Sequence, residues 1–317
     1  MTARACLWAA TCAYTEDIGM PTLADIQIRA PFITADPVAR VYRLYGTTGY
    51  GGPRDAPHGF SVRKSRDLKT WSEPQPVLSR ITGPQEADFY WAPKVYFYRG
   101  RWYLFATFGH GVSVLKPRAR YSSIFVSDSP DGPFVPHSDG PVTPLGWLAI
   151  CATLFVDAEA QPWLVFCREW VQTRNGEMHA IRLGPDLKRT AGETHLLFRA
   201  GEAAWSTSQK SELGEGYRVA DAPWLHRNAD GTLLMLWSSF GRGGYLTGVA
   251  RSAQGGILGP WMQSPEPFAL PDSGYAMTFR TFDDQLLLLL HSPNQPGHER
   301  ARLRKLREVP GGLELVR

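Results

Sequence analysis

One phrase recurs five times along this chain, and that repetition limits the possible folds more tightly than any composition figure. The first copy reads "APFITADPVARVYRLYGTT" and then "GFSVRKSRDLKTW", and the second "APKVYFYRGRWYLFATF" and then "SSIFVSDSPDGPF". The third is "ATLFVDAEAQPWLVFC" with "MHAIRLGPDLKRT", the fourth "APWLHRNADGTLLMLWSS" with "LTGVARSAQGGILGPW", and a looser fifth "AMTFRTFDDQLLLLLHS" with "RARLRKLREVPGGLELV". Each copy holds two apolar-alternating strands around a Gly, Asp or Arg turn, then a third strand and a further turn. Their starts lie roughly 55 to 70 residues apart, enough for one four-stranded propeller blade and a loop. The predicted fold is all-β: a five-bladed β-propeller, with blades of about four antiparallel strands around a central channel.

The 317 residues fit one such domain over 21–317, because a propeller core is a ring of sheet-on-sheet contacts and grows with blade number. Residues 1–20 precede the first copy and are expected as a flexible extension. Within them "ACLWAATCA" is apolar, but "YTEDIG" follows with acids where a signal-peptide cleavage region is small and neutral. Cys6, Cys12, Cys151 and Cys167 show neither metal-ligand spacing nor an extracellular disulfide framework, so the expected compartment is cytoplasmic. A formal net charge of +4 is spread along the chain, which argues against a nucleic-acid partner. The basic run "RARLRKLR" reads as a solvated edge strand guarded by Lys and Arg. "LLLLL" at Leu286 to Leu290 is too short to span a bilayer and reads as a buried strand. The expected partner is a small molecule, with no membrane, no metal and no cofactor.

In a propeller the innermost strand of each blade lines the channel, and a ligand pocket lies at one mouth. The pocket candidates therefore sit at the inner-strand starts: Arg29 and Ala30 in "IQIRAPFI", Tyr90, Trp91 and Lys94 in "FYWAPK", Trp147, Leu148 and Cys151 in "GWLAICATL", Asp221 and Trp224 in "VADAPWL", and Tyr275 in "SGYAM". Arg168 and Glu169, in "FCREWVQ", end the second strand of the third copy, within reach of the same mouth. Several have plain structural readings: Cys151 as small buried filler, Lys94 as a solvated side chain, Asp221 as a turn residue ahead of Ala-Pro, and Tyr275 as a plug in the channel. His58, His110, His137 and His179 are scattered and form no ligand set.

From about Leu23 to Glu299 the chain resembles glycoside hydrolase family 43. The phrases that carry the resemblance include "IQIRAPFI" with "YRLYGTT", "FYWAPKVYFYRGRWYLFATF", "PWLVFCREWVQ", "DAPWLHRNADGTLLMLWSSFG" and "FRTFDDQLLLLLHSPN". The resemblance implies a five-bladed propeller and hydrolysis of arabinosides, xylosides and related glycosides. It also implies a catalytic set with an aspartate base in Arg-Asp-Pro, a second aspartate that tunes it, and a carboxylic acid that protonates the leaving oxygen, the logic of an inverting glycosidase.

Against that pattern this chain has Ala30 at the base position, Cys151 at the second aspartate, Lys94 where the family has Glu in Trp-Ala-Pro-Glu, Arg168 for the His of His-Glu-Trp, and Tyr275 for a His that often faces a metal or water in the channel. Asp221, Glu169, Arg29 and Trp91 remain. A methyl group at Ala30 accepts no proton, and Leu148, Ala149, Ala152 and Ala222 add apolar carbon. These substitutions predict a repurposed enzyme that has lost glycoside hydrolysis and acts on a less polar small molecule by non-hydrolytic acid/base chemistry, such as a cyclisation, elimination or isomerisation in a biosynthetic pathway. Asp221, Glu169, Tyr275, Cys151 and Lys94 would be its catalytic groups, and Arg29, Ala30, Tyr90, Trp91, Trp147, Leu148, Arg168 and Trp224 its binding surface. Two alternatives stand beside it: a glycosidase of altered mechanism using Asp221 or Glu169, and a non-catalytic carbohydrate-binding protein.

Overall fold

The computed structural model describes residues 19–49, 59–81, 86–113, 115–252, 254–268 and 270–316. The extension at 1–18, with Cys6 and Cys12, and His58 lie outside these residues. Five four-stranded antiparallel sheets follow one another along the chain, each built from consecutive strands, so every blade is one continuous segment. The inner strands are Arg29–Asp36, Phe89–Tyr98, Ala149–Val156, Asp221–Arg227 and Gly274–Arg280, in blades 1 to 5 respectively. The expected all-β five-bladed propeller is the observed fold. Among the described residues no helix is long and apolar enough to cross a membrane.

Second strands are sandwiched between neighbouring blades and must be apolar on both faces. This is why Leu233–Gly241 reads "LLMLWSSFG" and Leu286–Ser292 reads "LLLLLHS", with Leu286 to Leu290 all buried. The hairpin turns are fixed by short acids: Asp157 accepts the Glu159 and Gln161 amides at 3.1 and 2.8 Å and the Trp163 indole N–H at 2.8 Å. In blade 5 the short outer strand Gly312–Leu315 pairs only with 306–309 of the third strand. The half that carries Arg302 and Arg304 is left as an open, charged edge, as "RARLRKLR" suggests. The ring closes where Ile28 N–H donates to Glu299 O at 3.0 Å and Gln27 bridges to Arg300.

The feature that builds the mouth is a bulge repeated five times. Near the start of each inner strand one residue has a left-handed backbone: Ala30 (φ 50°), Ala92 (φ 50°), Cys151 (φ 61°), Ala222 (φ 53°) and Tyr275 (φ 54°). In all five blades the pairing register slips there, between Arg29 and Phe32, Trp91 and Lys94, Ile150 and Thr153, Asp221 and Trp224, and Gly274 and Met277. Each non-glycine left-handed residue costs about 1–2 kcal/mol, and the repeat of that cost at one end of the ring marks a place where backbone is aimed rather than relaxed. Three bulges are followed by Pro31, Pro93 and Pro223, which have no N–H to lose from the ladder. The bulge amides are met by hydroxyls of the preceding blade: Ala92 N–H donates to Thr47 Oγ1 at 2.9 Å, Cys151 N–H to Thr107 Oγ1 at 2.9 Å, and Tyr275 N–H to Ser238 Oγ at 3.1 Å.

Candidate active site

The bulges of blades 3, 4 and 5 bring Cys151, Asp221 and Tyr275 into one hydrogen-bonded group. Asp221 Oδ1 accepts from Cys151 Sγ at 3.1 Å and from the Tyr275 hydroxyl at 3.1 Å, and Oδ2 accepts from the Tyr245 hydroxyl at 2.8 Å. Cys151 Sγ and the Tyr275 hydroxyl are themselves 3.3 Å apart. Burial, and then the charge of Asp221, push both tyrosine hydroxyls well above the ordinary phenol value, so they stay protonated and act as donors. Three donors on one carboxylate, itself 8% exposed, give a preorganised acceptor at the channel mouth.

Glu169 follows the second strand of blade 3 and is tied down by its amide, which donates to Leu148 O at 2.8 Å. Its carboxylate pairs with Arg120 from the third strand of blade 2, whose guanidinium lies 5.1 Å from the Trp91 ring centre. Burial raises the Glu169 pKa above the ordinary carboxylate value; Arg120 opposes the rise and the charge of Asp221 adds to it. Arg29 spans the other side of the mouth, 5.5 Å from the Tyr275 ring and 5.9 Å from Tyr245, held by Asn294 at 2.5 Å and by Glu299 at 3.3 Å. His291 lies beneath, stacked beside Tyr245, and burial together with Arg29 lowers its pKa to about 3, leaving it neutral.

Lys94 is not solvated. It lies inside the channel, below Cys151, and donates to Pro223 O at 3.0 Å, to Cys151 O at 3.4 Å and to Thr153 Oγ1. Ala30, Phe32, Ala222, Trp224 and Met277 line the same region, which has a cavity of about 10 Å³, room for a single water at most. Trp224 therefore belongs to the channel interior, with its indole N–H on Thr278 Oγ1 at 2.9 Å. Tyr90 packs between blades 1 and 2 against Phe60 and Phe108, and its hydroxyl accepts the Ile81 amide at 2.9 Å. Arg168 turns to blade 3, with its guanidinium 4.2 Å from the Trp147 ring and its Nε on Gln172 at 2.9 Å. The half-buried Leu148 meets Arg120 in a parallel bridge.

The sequence reading missed Tyr245, Arg120, Glu299 and His291, which come from second or third strands or the loop between them. A signal for part of this set exists. The residue opposite the one before each bulge is Thr47, Thr107, Cys167, Ser238 or His291, a small or polar side chain at one fixed register in each apolar second strand. A resident metal does not fit this mouth. Among the described residues no three His, Cys, Asp or Glu side chains cluster to hold one, and Tyr275 and the Lys94 ammonium occupy the centre.

Tyr245 is seated by Gly274. A Cβ there would come within 2.1 Å of a Tyr245 ring carbon and 3.0 Å of Ser238 Oγ. Gly274→Ala is expected to destabilise the protein by about 1–3 kcal/mol and to move Tyr245 off Asp221. A urea midpoint indistinguishable from the parent's would contradict this seating.

Glu169 and Asp221 thus stand at one mouth of a five-bladed propeller, near enough for the charge of Asp221 to act on Glu169. The sequence matches Glycosyl hydrolases family 43 over residues 26–300, and the chain belongs to that family. An endo-arabinase from Bacteroides thetaiotaomicron is 39% identical, covering 92% of this chain and 99% of its own, with a TM-score of 0.83. An endo-1,4-beta-xylanase from the same organism (22% identity, 94% and 96% coverage, TM-score 0.73) and an alpha-L-arabinofuranosidase from Lactobacillus brevis (15%, 93% and 95%, 0.73) share the fold. A comparison with curated proteins gives no match.

These findings overturn the expectation of an enzyme that has abandoned hydrolysis for a less polar substrate. The family match spans nearly the whole propeller and the matched structures are glycosidases, so the glycosidase alternative is the better supported. The structure supplies a physical reason for the misreading. Ala30, Ala92 and Ala222 occupy equivalent left-handed bulges in three blades, so alanine recurs there as part of the blade repeat and says little about the polarity of the ligand.

Proposed function

We propose that this protein hydrolyses arabinosidic linkages, with Glu169 and Asp221 as its working carboxylates. The observation that carries the substrate class is the likeness to the endo-arabinase, at 39% identity over almost all of both chains. The two carboxylates have different surroundings. Glu169 is buried and its pKa is raised, which suits a general acid that protonates the leaving glycosidic oxygen. Asp221 accepts three hydrogen bonds, which fix its oxygens and suit the orientation of an attacking water, whose proton the carboxylate then takes. Ala30 offers no base, so the water must be taken from the Asp221 side. That is the altered element of the mechanism. Arg29 and Trp91 flank the two carboxylates as a cation and an aromatic face for sugar hydroxyls and ring carbons.

Linear arabinan, an aryl arabinofuranoside and xylan, assayed from pH 4 to 9 with product analysis by chromatography, test this reading. Release from arabinan on the order of 1 per second or faster is expected, with inversion at the anomeric carbon, because one carboxylate acts as acid while the other activates water. No release from any of the three substrates would overturn it.

A further inference from the structure

We infer that Lys94 is a positioning residue, an internal ammonium that fixes the two bulges carrying Cys151 and Asp221 in the geometry the mouth requires. The inference rests on the hydrolase reading only for its effect on activity. Lys94 follows the blade 2 bulge by two residues, and the slip between Trp91 and Lys94 is what turns its side chain into the channel. There its three protons meet three oxygens from two other blades: Cys151 O and Thr153 Oγ1 of blade 3, and Pro223 O of blade 4. One cation thus joins three of the five inner strands. Two of its acceptors lie in the bulges themselves: Cys151 O is the carbonyl of the residue whose thiol donates to Asp221, and Pro223 O lies two residues beyond Asp221.

The site is built for a charge without a counter-ion in contact. Lys94 is 7% exposed and none of its hydrogen bonds goes to a carboxylate. The titratable groups around it are Cys151 and Cys167 of blade 3, Asp221 of blade 4 and Tyr275 of blade 5. Blade 1 contributes only Ala30, Pro31 and Phe32 to this part of the channel. Burial lowers the Lys94 pKa from 10.5 to about 8, and the nearby Cys151, Cys167 and Asp221 only partly offset this. The folded protein therefore releases the proton near pH 8, and the unfolded chain near 10.5. Across that window Lys94 binds more protons in the unfolded state than in the folded one, so its contribution to stability rises with pH. Activity should move the other way, because a neutral amine holds three acceptors less well than an ammonium. A residue that served only to fill space would give neither trend.

Three measurements test this. Urea unfolding of the parent protein and of Lys94→Met at pH 7 to 10.5 should show a stability difference that shifts in the parent's favour above pH 8, on top of the fall that Cys167 and the buried tyrosines impose on both proteins; identical pH dependence in the two proteins would overturn the buried-ammonium assignment. Thiol labelling of Cys151 at pH 7, resolved by peptide mass spectrometry, should speed up at least tenfold in Lys94→Met as the bulge loosens. An unchanged rate would overturn the positioning role, whatever the reaction proves to be. On arabinan, kcat of the parent should fall above pH 8 with KM little changed, and Lys94→Ala should recover part of its lost kcat in methylammonium chloride but not in sodium chloride. If Lys94→Met does not fold, Lys94→Arg replaces it in both measurements: a guanidinium stays charged to pH 10.5, so the pH-dependent stability difference from the parent and a changed Cys151 labelling rate are still expected, and the absence of both would overturn the assignment.

Discussion

Asp221→Asn is expected to lower kcat on arabinan by about 10²–10⁴-fold while the propeller stays folded. The carboxylate is the acceptor for Tyr245, Tyr275 and Cys151, and an amide offers one acceptor oxygen where these donors now find two. The tyrosine hydroxyls can rotate and accept from the amide nitrogen, so the structural cost should be limited to about 1–3 kcal/mol, well short of unfolding. The loss of rate is chemical: an amide does not take a proton from water. Because the change leaves the shape of the mouth intact, KM should move far less than kcat. A parallel collapse of kcat and the unfolding midpoint would show that Asp221 is structural. A variant with parental kcat would remove Asp221 from the mechanism.

The five blades were legible in the sequence because both of their periods are physical. Strands alternate every second residue, and each blade must present the same apolar second strand to its neighbours, so "FATF", "VFC", "LMLW" and "LLLLL" recur at matching places. The starts of the inner strands are legible for the same reason, and they put Cys151, Asp221 and Tyr275 at one mouth. What period two cannot show is a bulge. Two residues, Ala92 and Pro93, stand opposite one on the neighbouring strand, so the alternation resets there: Lys94 enters the channel while Tyr90 goes into the interblade core. The partners of the site were hidden for a different reason. Tyr245 and Arg120 lie on third strands, and only the closing of the ring brings them to the mouth.

Chemistry was the least legible layer, because five positions in the sequence carry two meanings at once. Ala30 stands where the family resemblance leads one to expect a carboxylate, and it is also one of five residues with a left-handed backbone. Read as chemistry, it signals a lost base; read as part of the blade repeat, it is the counterpart of Ala92 and Ala222, which hold the same bulge position in two other blades. Whether the pocket is polar was then decided by side chains that the motif comparison did not reach: the Tyr245 hydroxyl, the Arg120 guanidinium, and the Asn294 and Glu299 partners of Arg29. Together they make a mouth rich in donors, which suits a hydroxylated ligand better than an apolar one.

Glu169→Gln should lower activity on the same scale as Asp221→Asn and should cost at least as much stability. Its carboxylate is the buried counter-charge to Arg120, and removal of one partner from a buried pair costs on the order of 3 kcal/mol. The amide can still accept a hydrogen bond from Arg120, which should keep the variant folded at 25 °C. As general acid, Glu169 must be protonated before the leaving oxygen can depart, so the parent rate should fall as pH rises through its raised pKa, and the acidic side of the profile should belong to the group that activates water. In Glu169→Gln that alkaline fall should disappear along with about 10²–10⁴ of the rate. The loss should be smaller for an aryl arabinofuranoside with an acidic phenol, which leaves without help from a proton. Stability has its own signature. A carboxyl whose folded pKa lies above its unfolded value stabilises the protein fully below the unfolded pKa and loses that contribution as pH rises through the folded one, so parental stability should decline over this range and the variant's should not. Equal losses on arabinan and on the activated aryl substrate would show that Glu169 orients Arg120 and Trp91 and is not the acid.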